Sequence, residues 1–240
     1  MSFKKIPLLR GFNEISTIYE LCQEKNAVIC GGYARYCASP LSTAKVVPAG
    51  DVDIFPKSED ATSKILESLT AMGFVKQHEN HVSITMKPSD DKKDALEYLP
   101  TPQIIKPVIE GKIVTLGTIE EILLNFDFTI VRAAIISPNF VMVDEDFEND
   151  ERYKSLRLRN IHCPISSLLR CCKYARKGYF LRPAEALKLF ADWTNRGTEY
   201  QQRITDLFIE SAKGKADPDK NPEGITQQEI DELEALLRID

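Results

Sequence analysis

Apolar side chains recur along this chain in two periods, and the period changes partway through. Ile15, Ile18, Tyr19 and Cys22 stand at i, i+3, i+4 and i+7, which predicts an amphipathic helix over 13–23 with Asn13 as its N-cap. Ala27–Cys30 is a short apolar run stopped by Gly31-Gly32, and a second helical stretch follows around 33–38. That is strand, glycine turn, helix. Two prolines and small polar residues make 39–50 a loop, which delivers the chain into Asp51-Val52-Asp53-Ile54-Phe55, an alternation expected of a half-buried strand. Ser58 caps a helix striped by Ala61, Ile65, Leu66, Leu69 and Met72 and ended by Gly73.

Beyond it, His81–Met86 and Gln103–Ile105 predict strands, the second fenced by Pro102 and Pro107, with 88–94 an exposed turn between them. Glu120–Leu124 predicts a short helix, Phe126–Ile136 is an apolar, partly β-branched run, and Phe140–Val143 a last strand. Thereafter the helical period dominates, through Leu168, Leu169, Cys172 and Ala175 and then Ala186, Leu187, Leu189 and Phe190. A charged linker at 213–223 leads to Thr226-Gln227-Gln228-Glu229, a capping-box pattern opening a helix with Ile230, Leu233, Leu236 and Leu237 on one face. The expected organisation is an α/β head at 1–148, a smaller helical domain at 149–212, and a linker with a C-terminal amphipathic helix at 213–240.

Composition narrows the classes. The chain has 240 residues, 43% of them apolar and 28% charged, an ordinary soluble globular balance. A formal net charge of −5 argues against a surface coated in basic charge for nucleic acid, though not against a local patch. No apolar stretch reaches the roughly 18 residues that a membrane span needs, and no apolar run follows the charged start, so a cytoplasmic protein without a membrane partner is expected. The six cysteines form no Cys-x-x-Cys pair and the three histidines are not at ligand spacing with them, so neither zinc nor a disulfide framework is expected. One asymmetry stands out. Residues 144–151 (DEDFENDE) are strongly acidic, whereas 152–182 carry Arg152, Lys154, Arg157, Arg159, Arg170, Lys173, Arg176, Lys177 and Arg182 without a single acid.

Two features carry candidate chemistry. A glycine turn between strand and helix lets backbone amides approach an anion, and Arg35 follows Gly31 and Gly32 one helical turn later. On a strand, Asp51 and Asp53 leave the same face about 7 Å apart, an unfavourable arrangement of like charges that a cation such as Mg²⁺ (or Mn²⁺) relieves. Either feature alone is commonly structural, as a tight turn or a solvated edge. Together they supply the parts that hold a nucleoside triphosphate and its metal, with attack at the α-phosphate to follow.

The stretch Cys30–Phe55, CGGYARYCASPLSTAKVVPAGDVDIF, resembles the head of the DNA polymerase β-like nucleotidyltransferase superfamily, and within it the bacterial and eukaryotic type of tRNA CCA-adding enzymes and poly(A) polymerases. Those open with Gly-Gly-x-Val-Arg-Asp and then Asp-x-Asp. Asn125–Ile135, NFDFTIVRAAI, is similar to their Arg-Arg-Asp-Phe-Thr-Ile-Asn motif, and Leu169–Phe180, LRCCKYARKGYF, to the Leu-Arg-x-x-Arg-Phe…Gly-Phe helix of their next domain. The resemblance implies a mixed sheet flanked by helices, followed by a smaller all-helical domain. It implies a metal-dependent enzyme moving a nucleoside monophosphate from an NTP to an acceptor hydroxyl, foremost the 3′ end of a tRNA-like RNA. Asp51 and Asp53 would hold the metal, Gly31, Gly32 and Arg35 the phosphates, and Asp127 and Arg132 the nucleotide. Arg170, Lys173 and Lys177 stand at i, i+3 and i+7 as one stripe, and with Arg176 they would bind RNA.

This chain also departs from the pattern. Tyr36 replaces an Asp, Asn125 and Phe126 replace two arginines, Val131 replaces an Asn, and the base-reading Glu-Asp-x-x-Arg template has no counterpart in 160–167. Complete CCA addition is therefore not expected. No carboxylate lies on the strand 103–105; Glu97 and Asp127 are the candidates for a third one. Nucleotidylation of a protein or small molecule, and a non-catalytic RNA-binding protein of the same fold, remain as alternatives.

Overall fold

The computed structural model describes residues 2–42, 50–79, 82–96, 98–109, 112–113, 117–161, 164–202 and 205–206. Glu97, His81, His162, Cys163, the linker and the C-terminal helix expected from the sequence lie outside them.

Strand β1 (Phe3–Pro7) leads into helix α1 (Phe12–Glu24), whose stripe of Ile15, Ile18, Tyr19 and Cys22 is buried as expected. Its N-cap is Gly11, in the left-handed region at φ 74°, and not Asn13. Strand β2 (Ala27–Cys30), helix α2 (Gly32–Ala38), strand β3 (Asp51–Pro56) and helix α3 (Glu59–Ala71) follow, the last capped by Ser58, whose side chain accepts from the Ala61 N–H at 3.0 Å. The hairpin β4 (Phe74–Glu79) and β5 (Ser83–Pro88), the short helix α4 (Lys93–Leu96), strand β6 (Thr101–Ile105) and the two-residue strands β7 (Val108–Ile109) and β8 (Lys112–Ile113) come next. A full capping box between Thr118 and Glu121 starts helix α5 (Ile119–Leu124). The apolar run after it is not one strand. A 3-10 turn at Thr129–Val131 separates it from β9 (Ala133–Ser137), which pairs with β10 (Phe140–Asp144).

Eight strands form one mixed sheet in the order β1-β10-β9-β2-β3-β6-β5-β4. Strands β3 and β6 run parallel and the remaining neighbours antiparallel. β3 is thus a central strand, with Val52, Asp53, Ile54, Phe55 and Pro56 all buried, where its alternation predicts a half-buried one. Alternate residues serve two cores. Ala27, Ile29, Val52, Ile54 and Ile104 pack with α1, α2 and α3, whereas Val28, Cys30, Phe55 and Ile105 pack with α5 and the helical part.

That part begins with α6 (Phe147–Arg152), followed by β11 (Ser155–Leu156), α7 (Pro164–Ala175), β12 (Phe180–Leu181) and α8 (Pro183–Asn195). It is helical apart from the parallel pair of β11 with β12. Among the described residues no helix is long and apolar enough to cross a membrane.

Candidate functional site

The antiparallel register of β2 on β3 sets Cys30 opposite Asp53, so the glycine turn that follows Cys30 lies at the end of β3 where Asp51 begins the strand. The glycine turn and the acidic pair therefore meet at one end of two adjacent central strands. Gly31 has φ 77° and ψ −138°, a conformation open to glycine and strained for any L side chain. Its N–H donates to the Ala133 carbonyl at 2.9 Å, and its carbonyl accepts from the Arg35 N–H at 2.9 Å. The turn is fixed by the sheet on one side and by the first turn of α2 on the other.

Asp51 and Asp53 project from the face that also carries Phe55, since Val52 and Ile54 belong to the opposite core. Asp53 is buried and Asp51 partly exposed. Along the sheet, Asp53 has Cys30 on one side and Gln103 on the other; Thr85 lies beyond Gln103. Burial and then the charge of Asp53 push the Cys30 thiol well above its usual range, so both flanking residues are neutral. Gln103 is 5% exposed and donates from Nε2 to Ser83 Oγ at 2.8 Å. Among the described residues no group of three or more His, Cys, Asp or Glu is placed to hold a metal, so a cation here would have the Asp51–Asp53 pair as its carboxylates. Two oxygen-bearing carboxylates on one face, one of them reachable by solvent, fit Mg²⁺, which keeps waters and takes phosphate oxygens for its remaining positions.

The other candidates lie deeper. Arg35 is 1% exposed; its Nη1 is 3.2 Å from Glu151 Oε1 and donates to the Tyr179 hydroxyl at 3.0 Å. Glu151 also accepts from Ser39 Oγ at 2.8 Å, so α2 of the head is tied to α6 and to the turn before β12. Asp127 accepts from Ser167 Oγ and Arg170 Nε, each at 2.8 Å, and so holds α7 against the head. Arg132 donates from Nε to the Phe126 carbonyl at 2.9 Å and from Nη2 to the Leu124 carbonyl at 3.0 Å, closing the C-terminal end of α5. Burial lowers its guanidinium pKa to about 10, against the pull of Asp144.

The basic segment is largely engaged within the molecule. Arg157 pairs with Asp146 and Asp150, Arg159 with Asp144 and Asp146, Arg170 with Asp127, and Arg182 with Asp150. The acidic run at 144–151 supplies most of these partners. Lys154 lies over the Tyr179 ring at 4.2 Å. The expected stripe of Arg170, Lys173 and Lys177 is interrupted, because α7 stops at Ala175 and Gly178 turns the chain at φ 84°; Lys177 folds over the Tyr174 ring at 5.2 Å. Lys173 is partly exposed and Arg176 exposed.

Sequence reasoning missed Glu151 and Gln103. Glu151 is 116 residues from Arg35 and sits in an acidic run, so nothing local marks it as an interior partner. Gln103 is found by asking what stands beside Asp53 in a parallel register, a question that requires the strand order.

A mixed sheet carrying a glycine turn and an acidic pair at one end defines a nucleotidyltransferase-like fold, and solved structures agree. The complex of a CCA-adding enzyme with CTP superposes with a TM-score of 0.55 at 17% identity, over 93% of this chain and 51% of that one. An apo form of a CCA-adding enzyme gives 0.53 at 16%, over 93% and 50%, and a complex with ATP 0.52 at 15%, over 94% and 51%. The chain spans about half the length of these structures. No curated protein sequence matches it. The chain belongs to the Gabija anti-defense 2 family, whose model matches residues 4–152.

Proposed function

We propose that this protein is a metal-dependent nucleotidyltransferase acting on a component of the Gabija defence that its family name sets it against. The observation that carries the reading is the Asp51–Asp53 pair, held on a central strand level with the glycine turn. Two like charges on one face of a strand attract a cation, which lowers their mutual repulsion. Asp51 and Asp53 would hold Mg²⁺ or Mn²⁺, which when bound neutralises phosphate charge at the reacting centre. Lacking side chains, Gly31 and Gly32 would let the triphosphate lie close to the backbone. The acceptor oxygen bonds to the α-phosphorus, the bond from that phosphorus to the bridging oxygen breaks, pyrophosphate leaves, and the hydroxyl proton passes to solvent beside the more exposed Asp51. Arg35, Asp127 and Arg132 act from a distance, Arg35 by fixing α2 behind the turn and Asp127 by seating α7.

The acceptor is a hydroxyl on the defence component rather than an RNA 3′ end, because Arg157, Arg159, Arg170 and Arg182 already face carboxylates of this chain. The second reading, an RNA acceptor, is favoured by Lys173, Arg176 and Lys177 at the end of α7. Incubation with Mg²⁺ and each of four α-labelled NTPs tests both, with Gabija components, total RNA or 3′-trimmed tRNA as acceptor. Label in Gabija protein, lost in the Asp51→Ala/Asp53→Ala variant, supports the first reading; label in RNA supports the second. If neither is labelled and no nucleotide with Mg²⁺ raises the melting temperature, transfer is refuted and a non-catalytic binding protein is left.

A further inference from the structure

The row through Asp53 carries a second message. Three neighbouring strands present Asp53, Gln103 and Thr85 side by side on one face, and Gln103 occupies the position in direct parallel register with the buried carboxylate. A residue there is as close to a cation on Asp53 as any side chain of β6 can come, because adjacent strands are about 4.8 Å apart. The chain places an amide there, not an acid, and fixes it: Gln103 is buried and its Nε2 donates to Ser83 Oγ at 2.8 Å. A buried amide held in this way has lost its rotamer freedom and stands beside the pair as a neutral wall.

We propose that Gln103 is a positioning residue that keeps the cation site at two carboxylates, so that a divalent ion settles there only together with the triphosphate. The proposal rests on the metal-binding reading of Asp51 and Asp53. Ligand charge count is a principal determinant of affinity at oxygen-ligated cation sites. With two carboxylates from the protein, the phosphates must complete the donor set; a third carboxylate at 103 would hold the ion without them. Neutrality at 103 also spares the empty site a third like charge, which would otherwise repel Asp53 in a buried row. The nucleotide and its metal then arrive as one ligand, and free divalent ions do not occupy the site unproductively.

The test uses Mn²⁺ alone, read by the loss of its free-ion EPR signal on titration with full-length protein, compared with Mn²⁺ plus each of the four NTPs. In the absence of nucleotide, Gln103→Glu should tighten Mn²⁺ by about tenfold or more over the unmodified protein. Adding Asp53→Asn to that variant should abolish the gain. Equal Mn²⁺ affinity in Gln103→Glu and the unmodified protein, both showing a cooperative melt, overturns the proposal, as does tight Mn²⁺ binding by the unmodified protein without nucleotide.

If Gln103→Glu does not fold, the unmodified protein decides the matter. Mn²⁺ alone should leave the free-ion signal largely unchanged, and Mn²⁺ with a triphosphate should lose more signal than the nucleotide alone removes; equal loss with and without nucleotide refutes the role. Failure of the underlying reading looks different. In that case Asp53→Asn leaves the Mn²⁺ signal and the nucleotide-dependent stabilisation of the unmodified protein untouched.

Discussion

Removing Glu151 should be among the most damaging single changes outside the acidic pair. Its carboxylate is fully buried and meets Arg35, whose side chain is 2% exposed, while also accepting from Ser39 and the Tyr179 hydroxyl. Glu151→Ala removes from inside the protein the carboxylate that faces the Arg35 guanidinium. Breaking a buried pair in this way costs about 3–5 kcal/mol. Against a total stability of about 5–15 kcal/mol that is a large share. With a urea m-value of about 3 kcal/mol/M, the midpoint should fall by about 1–1.7 M. Equilibrium urea unfolding followed by circular dichroism measures it directly. The double variant Arg35→Met/Glu151→Leu removes both charges and should recover most of the loss, since apolar replacements of a buried pair are often neutral or better. A midpoint shift below about 0.3 M for Glu151→Ala, or a double variant no more stable than the single, would refute the idea that this pair joins the head to its helical part.

Other expectations follow from the same contacts. Asp127→Ala deprives Ser167 and Arg170 of their acceptor, so hydrogen exchange over 164–175 should speed up several-fold while β2 and β3 stay protected. Hydrogen bonds from Lys76 and then Lys106 hold the Glu79 carboxyl below its usual range. Its small contribution is therefore complete above the ordinary carboxylate pKa and is lost as pH falls through the lowered one; Lys76→Met should move the Glu79 titration upward in an NMR pH series. Cys172 is exposed, whereas Cys22, Cys30, Cys37 and Cys171 are buried, with burial pushing the thiols of Cys22 and Cys171 up to about 12. Mass-spectrometric mapping after a brief treatment of native protein with a thiol reagent should find label on Cys172 and none on those four.

Much of the head was legible because its signals are local. The stripe of α1, the Ser58 cap and the glycine turn each depend on residues a few positions apart, and the structure keeps all three. What failed depended on partners far along the chain. The alternation of 51–55 predicts an edge or half-buried strand, but β6 joins β3 in parallel and the helical part covers the second face, so Asp53 is buried. Strands β1 and β4 gave no expectation at all; each lies at an edge of the sheet, where polar residues are tolerated and the apolar alternation is weak. The basic run shows the same limit: its spacing says nothing of which cations face the acids of 144–150. The pairing of the glycine turn with the acidic strand was legible as a set, and the neighbours that govern its charge, Cys30 and Gln103, were not.

The pairing of β1 with β10 has a consequence for how the molecule comes into being. Phe3 finds Asp144 opposite it, so β1 is an orphan until the chain has grown to the start of the acidic run. Until then β10 is missing and β9 has one side open, and the eight-stranded sheet is incomplete. Contacts of such long separation are slow to form, because the intervening loop must be ordered first. Only a few residues later come Asp150 and Glu151, the acids that meet Arg157, Arg182 and Arg35. Completion of the sheet and the docking of the helical part therefore fall close together in synthesis, and a chain stopped before β10 would carry the glycine turn and both aspartates on a sheet that lacks its β1–β10 edge and the acids that seat the helical part.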